Sequence, residues 1–129
     1  TIHCLKAWGP LMSELRDFPR LPRFLLHSFG GSLEIGKEAA RMGAYFSFSG
    51  YFLQTRKAKT REIFSRLPIE RILVETDAPE MALPNPKFRF NDLNHPANLA
   101  FISHELAEIC DTEPETFTAN TYAFWEDDQ

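Results

Sequence analysis

Carboxylate and imidazole side chains stand at the ends of short apolar runs in this sequence. Glu75 and Asp77 follow the branched apolar residues 72–74. His27 ends a second apolar run, and His3 lies in the opening segment of the chain. Imidazole nitrogens and carboxylate oxygens suit divalent ions such as Zn²⁺, Mn²⁺ and Mg²⁺, of which the harder ions favour oxygen. Because a neighbouring carboxylate can also accept a proton from an activated water, these residue types indicate acid–base or metal-assisted chemistry.

The run at 72–74 predicts a buried strand of a parallel sheet. Its residues are apolar on both alternating faces, which is typical of a strand covered on both sides. Pro79 marks the end of this segment, because proline cannot donate to a sheet ladder. Period-two alternation puts Leu73, Glu75 and Asp77 on one face. Active sites of α/β proteins gather at the carboxyl ends of parallel strands, so this face predicts a site.

Strands and helices are predicted to alternate along the chain. The predicted strands lie within residues 1–4, 24–31, 44–50 and 71–79. Helices are predicted over residues 10–18, 33–42 and 55–67, the second with Ser32 as its N-cap. In the third strand, the residues that share one face are Tyr45, Ser47 and Ser49. This order is the signature of parallel βαβ units, so we expect an α/β fold.

Two further helices are predicted after an irregular loop at 80–94. The first follows Asn94 as its N-cap, and its apolar face consists of Leu99, Ile102, Leu106 and Ile109. The second begins at 112–115, a segment that fits a capping box. This helix also carries Tyr122. Three of its aromatic residues are expected in the core, namely Phe117, Phe124 and Trp125.

Length and composition limit the possible folds and the cellular compartment of the protein. The 129 residues, 43% of them hydrophobic, predict one domain over 1–129 with its own core, whereas a closed eight-stranded barrel takes about 250 residues. A net charge of −4 gives no overall attraction to nucleic acid, so such binding would need a local basic patch.

Two cysteines, without a signal peptide or spanning segment, favour a reduced, cytoplasmic setting. The chain starts inside a predicted strand without an initiator Met, which predicts a piece of a longer protein.

Six motifs follow one another in a specific order. They lie at residues 2–4, 26–32, 45–50, 75–79 and 94–96, with Asn120 near the end. Together they resemble the C-terminal half of the TatD-family metal-dependent deoxyribonucleases. The resemblance implies a partial TIM barrel of the amidohydrolase type, containing the fifth to eighth strands and two C-terminal helices. It further implies a centre for Mg²⁺, Mn²⁺ or Zn²⁺ and hydrolysis of DNA phosphodiester bonds.

The resemblance also assigns roles to single residues. It implies that His3, His27 and Asp77 are metal ligands from the fifth, sixth and eighth strands, and that Asp77 is also the catalytic proton acceptor. Glu75 shares the face of Asp77 one step deeper, so its expected role is a hydrogen bond that supports a metal-bound histidine. The family centre also uses a His-x-His pair and a bridging glutamate from earlier strands, and neither can be located in this sequence. We therefore expect little activity from this chain alone.

Substrate contacts are predicted at three positions. Lys87 and Arg89 lie in the loop after the last strand, where they could meet phosphates or simply be solvated. Tyr51 could stack on a base or pack within the fold. A group of cations after the third strand indicates a charged helix face more than a binding site; its members are Arg56, Lys57, Lys59 and Arg61.

Two alternatives to a DNA hydrolase stay open. A related amidohydrolase would act on an amide or ester through metal ligands at the same strand ends. A truncated scaffold or binding module would have no activity and would recruit a partner through exposed barrel edges. The expected partners are DNA as substrate, no membrane, and either a second copy of the chain or the missing N-terminal half.

Overall fold

Parallel strands and helices alternate in the computed structural model, which describes residues 1–126. The strands are β1 (Ile2–His3), β2 (Phe24–His27), β3 (Ala44–Ser49) and β4 (Ile72–Glu75). The helices are α1 (Trp8–Asp17), α2 (Leu33–Arg41), α3 (Ala58–Phe64), α4 (Leu99–Cys110) and α5 (Glu115–Trp125). The prediction of an α/β fold with two helices after the last strand is confirmed. No helix in the described part of the chain is long and apolar enough to cross a membrane.

The sheet order brings the strand ends together. The strands pair in chain order, β1-β2-β3-β4, and every pair is parallel. His3 is in register with His27, and Ser49 is in register with Glu75. Because all four strands run the same way, their carboxyl ends meet at one edge, called here the carboxyl edge. The outer sides of β1 and β4 pair with no further strand within residues 1–126, and assembly through them stays a prediction.

The hydrophobic core lies between one face of the sheet and the helices. Leu26, Phe46 and Ile72 form a row in register across β2, β3 and β4, and all three are 0% exposed. The rings of Phe29 and Phe64 continue the core, with their centroids 6.4 Å apart. Burying each such side chain contributes roughly 1.5–3 kcal/mol. Because this row faces the helices, the opposite face of each strand turns away from them.

The opposite face of the sheet carries polar side chains. Tyr45, Ser47 and Ser49 alternate with the core residues of β3 and are nevertheless buried, at 6%, 1% and 1% exposure. The Ser28 N–H donates to Ser47 Oγ at 2.9 Å. The shared face predicted from period-two alternation is thus a polar, hydrogen-bonded surface that leads to the carboxyl edge.

The start of α4 differs from the sequence prediction. Asn94, the predicted N-cap, is only 4% exposed, and its Nδ2 donates to the carbonyl of Thr76 at 2.6 Å. A 3-10 turn at Pro96–Asn98 precedes the helix, and His95 caps that turn by accepting the Ala97 N–H on Nδ1 at 3.0 Å. Asn94 holds the loop after β4 instead, because a buried amide can donate and accept at the same time.

The start and aromatic face of α5 also differ from expectation. The predicted capping box is wrong: Pro114 is the N-cap, and no side chain caps the helix. Trp125, predicted for the core, is 75% exposed, whereas Phe117 is 2% exposed. Phe124 packs edge-on against Tyr45 with ring centroids 5.0 Å apart. Residues seven apart share one helix face, so Phe117 and Phe124 face inward while the next residue turns roughly 100° away.

Candidate metal centre

Three side chains converge at the carboxyl edge of the sheet. His27 Nε2 lies 3.0 Å from Glu75 Oε2 and 3.1 Å from Asp77 Oδ1. One potential ligand atom from each residue lies within 4.8 Å of the other two. The side chains are 23% exposed for His27 and 15% for each carboxylate, so the group is sheltered but still reached by solvent. We call these three residues the metal-centre group.

Small residues on β3 allow the metal-centre group to form. His27 ends β2 and Glu75 ends β4, and β3 lies between these strands. At this level β3 presents Ser47 and Ser49, whose side chains are short. A larger residue at either position would fill the space in which the imidazole and the carboxylates meet. The contact therefore depends on the side-chain size of the middle strand as well as on the two strand ends.

Two residues of the site have a left-handed backbone. The φ angle is 44° at Ser28 and 56° at Asp77. This conformation costs a residue with a side chain about 1–2 kcal/mol, although aspartate adopts it more readily than most. Each residue follows a strand closely and turns the chain out of the sheet. Such strain persists only where surrounding contacts hold it, and it concentrates at functional sites.

Two hydroxyl groups hold the carboxylates. Ser49 Oγ donates to Asp77 Oδ2 at 2.7 Å, and the Ser28 hydroxyl bonds to Glu75 Oε1 and lies 3.3 Å from Asp77 Oδ2. With Oδ2 engaged, Asp77 keeps Oδ1 for His27 or for a cation. Sequence reasoning missed these two hydroxyls as site residues. The available signal was the alternation that put Ser49 on the polar face and the position of Ser28 directly after His27.

The electrostatics of the group favour a cation. Burial raises the pKa of the Glu75 carboxyl above its ordinary value, and the charge of Asp77 adds to this effect. Hydrogen bonds from Ser28 and Ser47, and the nearby His27, act in the opposite direction. A divalent ion between two close carboxylates would remove their repulsion. One imidazole nitrogen with carboxylate oxygens is a donor set that fits Zn²⁺ or Mn²⁺, and the oxygens alone suit Mg²⁺.

The position of Glu75 fits a metal-ligand role as well as a role in supporting His27. A carboxylate that orients a metal-bound histidine usually contacts the ring nitrogen that does not bind the metal. Glu75 approaches Nε2 of His27, the same nitrogen that Asp77 approaches. Both carboxylates are thus on one side of the ring, where each could offer an oxygen to the same ion. The supporting role stays a prediction, and a ligand role is equally consistent with this position.

His3 lies beside the metal-centre group but outside it. Its ring centroid is 4.2 Å from that of His27, and the two rings are tilted by 34°. The residue is exposed, and its nitrogens are not among the ligand atoms that lie within 4.8 Å of one another. β1 is a two-residue edge strand, so few contacts fix the direction of this side chain. A ligand role for His3 stays a prediction that requires its ring to turn toward the group.

The predicted substrate residues differ in how they are connected to the metal-centre group. The backbone N–H of Tyr51 donates to Ser49 Oγ at 3.3 Å, which connects Tyr51 to the hydroxyl that holds Asp77. Lys87 Nζ lies 5.6 Å from the centroid of the Phe101 ring. Arg89 is exposed in the same loop. Substrate binding by Tyr51, Lys87 and Arg89 stays a prediction.

Glu75 is expected to make the metal-free fold less stable as pH rises. Its raised pKa means that the folded chain binds more protons than the unfolded chain between the ordinary and the folded value. This contribution to the free energy of unfolding is present below the ordinary value and is lost as pH rises through the folded value. Glu75→Gln, which mimics the protonated acid, should therefore gain stability relative to wild type as pH rises from the ordinary glutamate pKa through the raised pKa of the folded chain.

Urea unfolding with chelator present, at a series of pH values, measures this gain. Glu14→Gln is the matched control, because Glu14 is exposed on α1. The control shows what the loss of a solvent-exposed carboxylate does to the free energy of unfolding. A Glu75→Gln difference that stays constant over the same range would contradict the interpretation that burial penalises the Glu75 charge.

Comparison with known proteins agrees with the ordered motifs. The profile of the TatD-related DNase family matches residues 1–126. A 3′-5′ ssDNA/RNA exonuclease TatD of Citrobacter koseri is 31% identical over 128 residues, which cover 95% of this chain and 48% of that relative. An uncharacterized metal-dependent hydrolase of Bacillus subtilis, YabD, is 33% identical over 85 residues, which cover 66% of this chain and 32% of that protein.

The fold agrees as well. The crystal structure of YjjV, a TatD homologue of Escherichia coli K12, matches with a TM-score of 0.77 at 29% identity, covering 95% of this chain and 48% of that structure. The chain spans about half the length of the curated relatives it matches. The predicted partial TIM barrel is confirmed by this match. The motif order, the parallel sheet and the family match over nearly the whole chain together show that this protein belongs to the TatD-related DNase family.

Proposed function

We propose that this chain supplies part of the centre of a metal-dependent hydrolase that cleaves phosphodiester bonds of DNA. The observation that carries the proposal is the convergence of His27, Glu75 and Asp77 at the carboxyl edge. Membership of the TatD-related DNase family supports a hydrolase. The name of the Citrobacter koseri relative, a ssDNA/RNA exonuclease, supports a nucleic-acid substrate.

Each residue of the metal-centre group has a task in this proposal. His27 offers an imidazole nitrogen to a divalent cation, and Glu75 and Asp77 offer oxygens. Such a cation, when bound, lowers the pKa of water and offsets negative charge on phosphoryl oxygens. Asp77 Oδ2 is held by Ser49 at 2.7 Å, which fixes the carboxylate that would accept the proton of an attacking water.

The number of candidate ligands determines how tightly this centre is expected to bind a metal ion. Residues 1–126 bring together three candidate ligand side chains, with His3 nearby. The family centre uses further imidazole and carboxylate ligands, and these would normally complete the coordination of one or two ions. We infer that the chain by itself binds one ion loosely and turns over slowly, and that supplying the remaining ligands restores hydrolysis.

The test compares three substrate classes with the chain co-expressed beside the N-terminal half of the Citrobacter koseri relative. A labelled single-stranded oligonucleotide, p-nitrophenyl acetate and a small amide are each incubated with Mn²⁺, with and without EDTA. The proposal expects EDTA-sensitive cleavage of the oligonucleotide and little reaction of the other two. The N-terminal half alone is the control and should be inactive. Cleavage of the ester or amide without the oligonucleotide would indicate an amidohydrolase instead, and no cleavage of any substrate would indicate a scaffold.

A further inference from the structure

The segment that follows β3 holds two cations over an aromatic ring. The Arg56 guanidinium carbon lies 5.3 Å from the centroid of the Tyr51 ring, and Lys57 Nζ lies 5.0 Å from it. The Arg56 guanidinium also donates to the Tyr51 hydroxyl, and its Nε donates to Gln54 Oε1 at 2.9 Å. Arg56 and Lys57 belong to a 3-10 turn, Thr55–Lys57, that precedes α3. These cations are therefore placed by Tyr51 rather than spread along a helix face; we call the three residues the cation–tyrosine cluster.

The backbone under the cluster is held in place by tertiary contacts. Arg61 Nη1 donates to the carbonyl of Phe52 at 2.6 Å and to that of Gln54 at 2.7 Å. Gly50 lies so close to Leu83 and Ile102 that an added Cβ would be 2.4 Å and 2.7 Å from their side chains. The loop is thus built against its neighbours, and the cations on it lose less freedom on binding a ligand than mobile surface lysines would.

The segment that carries the cluster is connected to the metal-centre group by hydrogen bonds through Ser49. The Tyr51 N–H donates to Ser49 Oγ at 3.3 Å, and the same oxygen donates to Asp77 Oδ2 at 2.7 Å. One serine therefore connects the start of the cation–tyrosine cluster to the proposed proton acceptor. A chain-like ligand that reaches Asp77 would pass this loop, because the segment leaves β3 at the carboxyl edge beside the site.

The charge of the cluster is not neutralised by a carboxylate in the described part of the chain. Within residues 1–126, neither Arg56 nor Lys57 lies within ion-pair distance of a carboxylate. Arg56 is exposed and Lys57 is half-buried. The chain as a whole carries a net charge of −4, so this is a local positive site on an acidic protein. Two adjacent, preplaced and unpaired cations suit anionic oxygens of a polymer that repeats its charge.

We propose that Arg56 and Lys57 bind phosphate groups of a nucleic-acid strand next to the phosphodiester that reacts at the metal centre; this inference rests on the proposed function. Tyr51 acts as the positioning residue, since its ring and hydroxyl hold the two cations. A base stacking on the Tyr51 ring would compete with these two cations for the ring. The cluster therefore recognises backbone phosphate and is indifferent to the base.

Binding without catalysis tests this proposal. The wild-type chain and an Arg56→Gln/Lys57→Gln variant are titrated with fluorescein-labelled oligothymidylate in EDTA, and fluorescence anisotropy is followed over a series of salt concentrations. The double variant should bind more weakly, and the slope of log K against log salt should fall in magnitude by about 1.4, because each neutralised phosphate of a single strand contributes about 0.7. Lys59→Gln is the control, because Lys59 lines a cavity with Ser32 and Glu62 and is not one of the cations over the Tyr51 ring.

A second ligand distinguishes phosphate binding from base stacking. An abasic oligonucleotide of the same length keeps the phosphates and removes the bases. We expect it to bind with an affinity similar to that of oligothymidylate and to respond equally to the double substitution. Undetectable binding by the wild type at low salt, an unchanged slope in the double variant, or loss of binding to the abasic strand would each overturn the proposal. Since EDTA removes metal, these results do not depend on whether the chain hydrolyses DNA.

Discussion

Replacing His27 and Asp77 together by alanine is expected to abolish metal binding by this chain. The wild type should bind Mn²⁺ or Zn²⁺ weakly through the metal-centre group, and the double variant keeps only Glu75 of that group. Loss of a residue that merely supports a ligand costs about 10-fold to 100-fold in affinity, so loss of two ligands should cost more than about 100-fold. Isothermal titration calorimetry with MnCl₂ and ZnCl₂ measures the change.

A matched double substitution controls for the removal of an imidazole and a carboxylate elsewhere. His104 and Asp92 are both exposed and lie outside the metal-centre group, so His104→Ala/Asp92→Ala should bind metal as the wild type does. Circular dichroism and thermal unfolding check that both variants are folded. Calorimetry that gave the His27→Ala/Asp77→Ala variant the wild-type affinity would refute the centre.

Asp77→Asn is expected to remove most of the hydrolytic activity while the fold is retained. Asparagine has nearly the same shape and can still accept the hydrogen bond that Ser49 donates at 2.7 Å. Its amide cannot accept the proton of an attacking water, and a positioned proton acceptor contributes about 10²-fold to 10⁴-fold to a rate. Initial rates of oligonucleotide cleavage at saturating Mn²⁺ measure the loss, with the chain co-expressed beside the N-terminal half of the Citrobacter koseri relative.

Saturating metal separates this chemical effect from weaker metal binding. Asp92→Asn, in the exposed loop after β4, makes the same substitution away from the site and should leave the rate unchanged. A loss of less than about tenfold in Asp77→Asn would show that Asp77 is not the proton acceptor, since it falls below the range for general base catalysis. Loss in both variants would point to a general effect on the protein instead.

Local patterns along the chain were sufficient to predict the alternation of strands and helices and the strand ends at which His27 and Glu75 lie. The apolar run at 72–74 predicted β4, and period-two alternation predicted that Leu73 and Glu75 share a face; Leu73 is 6% exposed on it. Ser32 was predicted to cap α2, and its Oγ accepts the Ile35 N–H at 3.3 Å. Such features depend on residues within a few positions of each other, so a sequence can report them directly.

Local signals failed where another side-chain contact competed with them. Asn94 has the composition of a helix cap, but its side chain is drawn into the fold to bond the carbonyl of Thr76, 18 residues earlier. The cations after β3 have the spacing of a solvated helix face, yet Arg56 and Lys57 lie over the Tyr51 ring in a 3-10 turn. In each case a side-chain hydrogen bond or ring contact outweighs a propensity worth only about 1 kcal/mol.

Imidazole and carboxylate groups at the ends of parallel strands could be predicted from the chain, because apolar runs alternate with helical segments along it. How those groups meet depends on the folded sheet. Glu75 and Asp77 both approach Nε2 of His27, and the Ser28 hydroxyl bonds to Glu75 across 47 positions of sequence. These contacts depend on β3 lying between β2 and β4 with serine at the right level. Sheet order and left-handed turns act there together with the short side chains of β3, and this combination is not visible in any one segment of the chain.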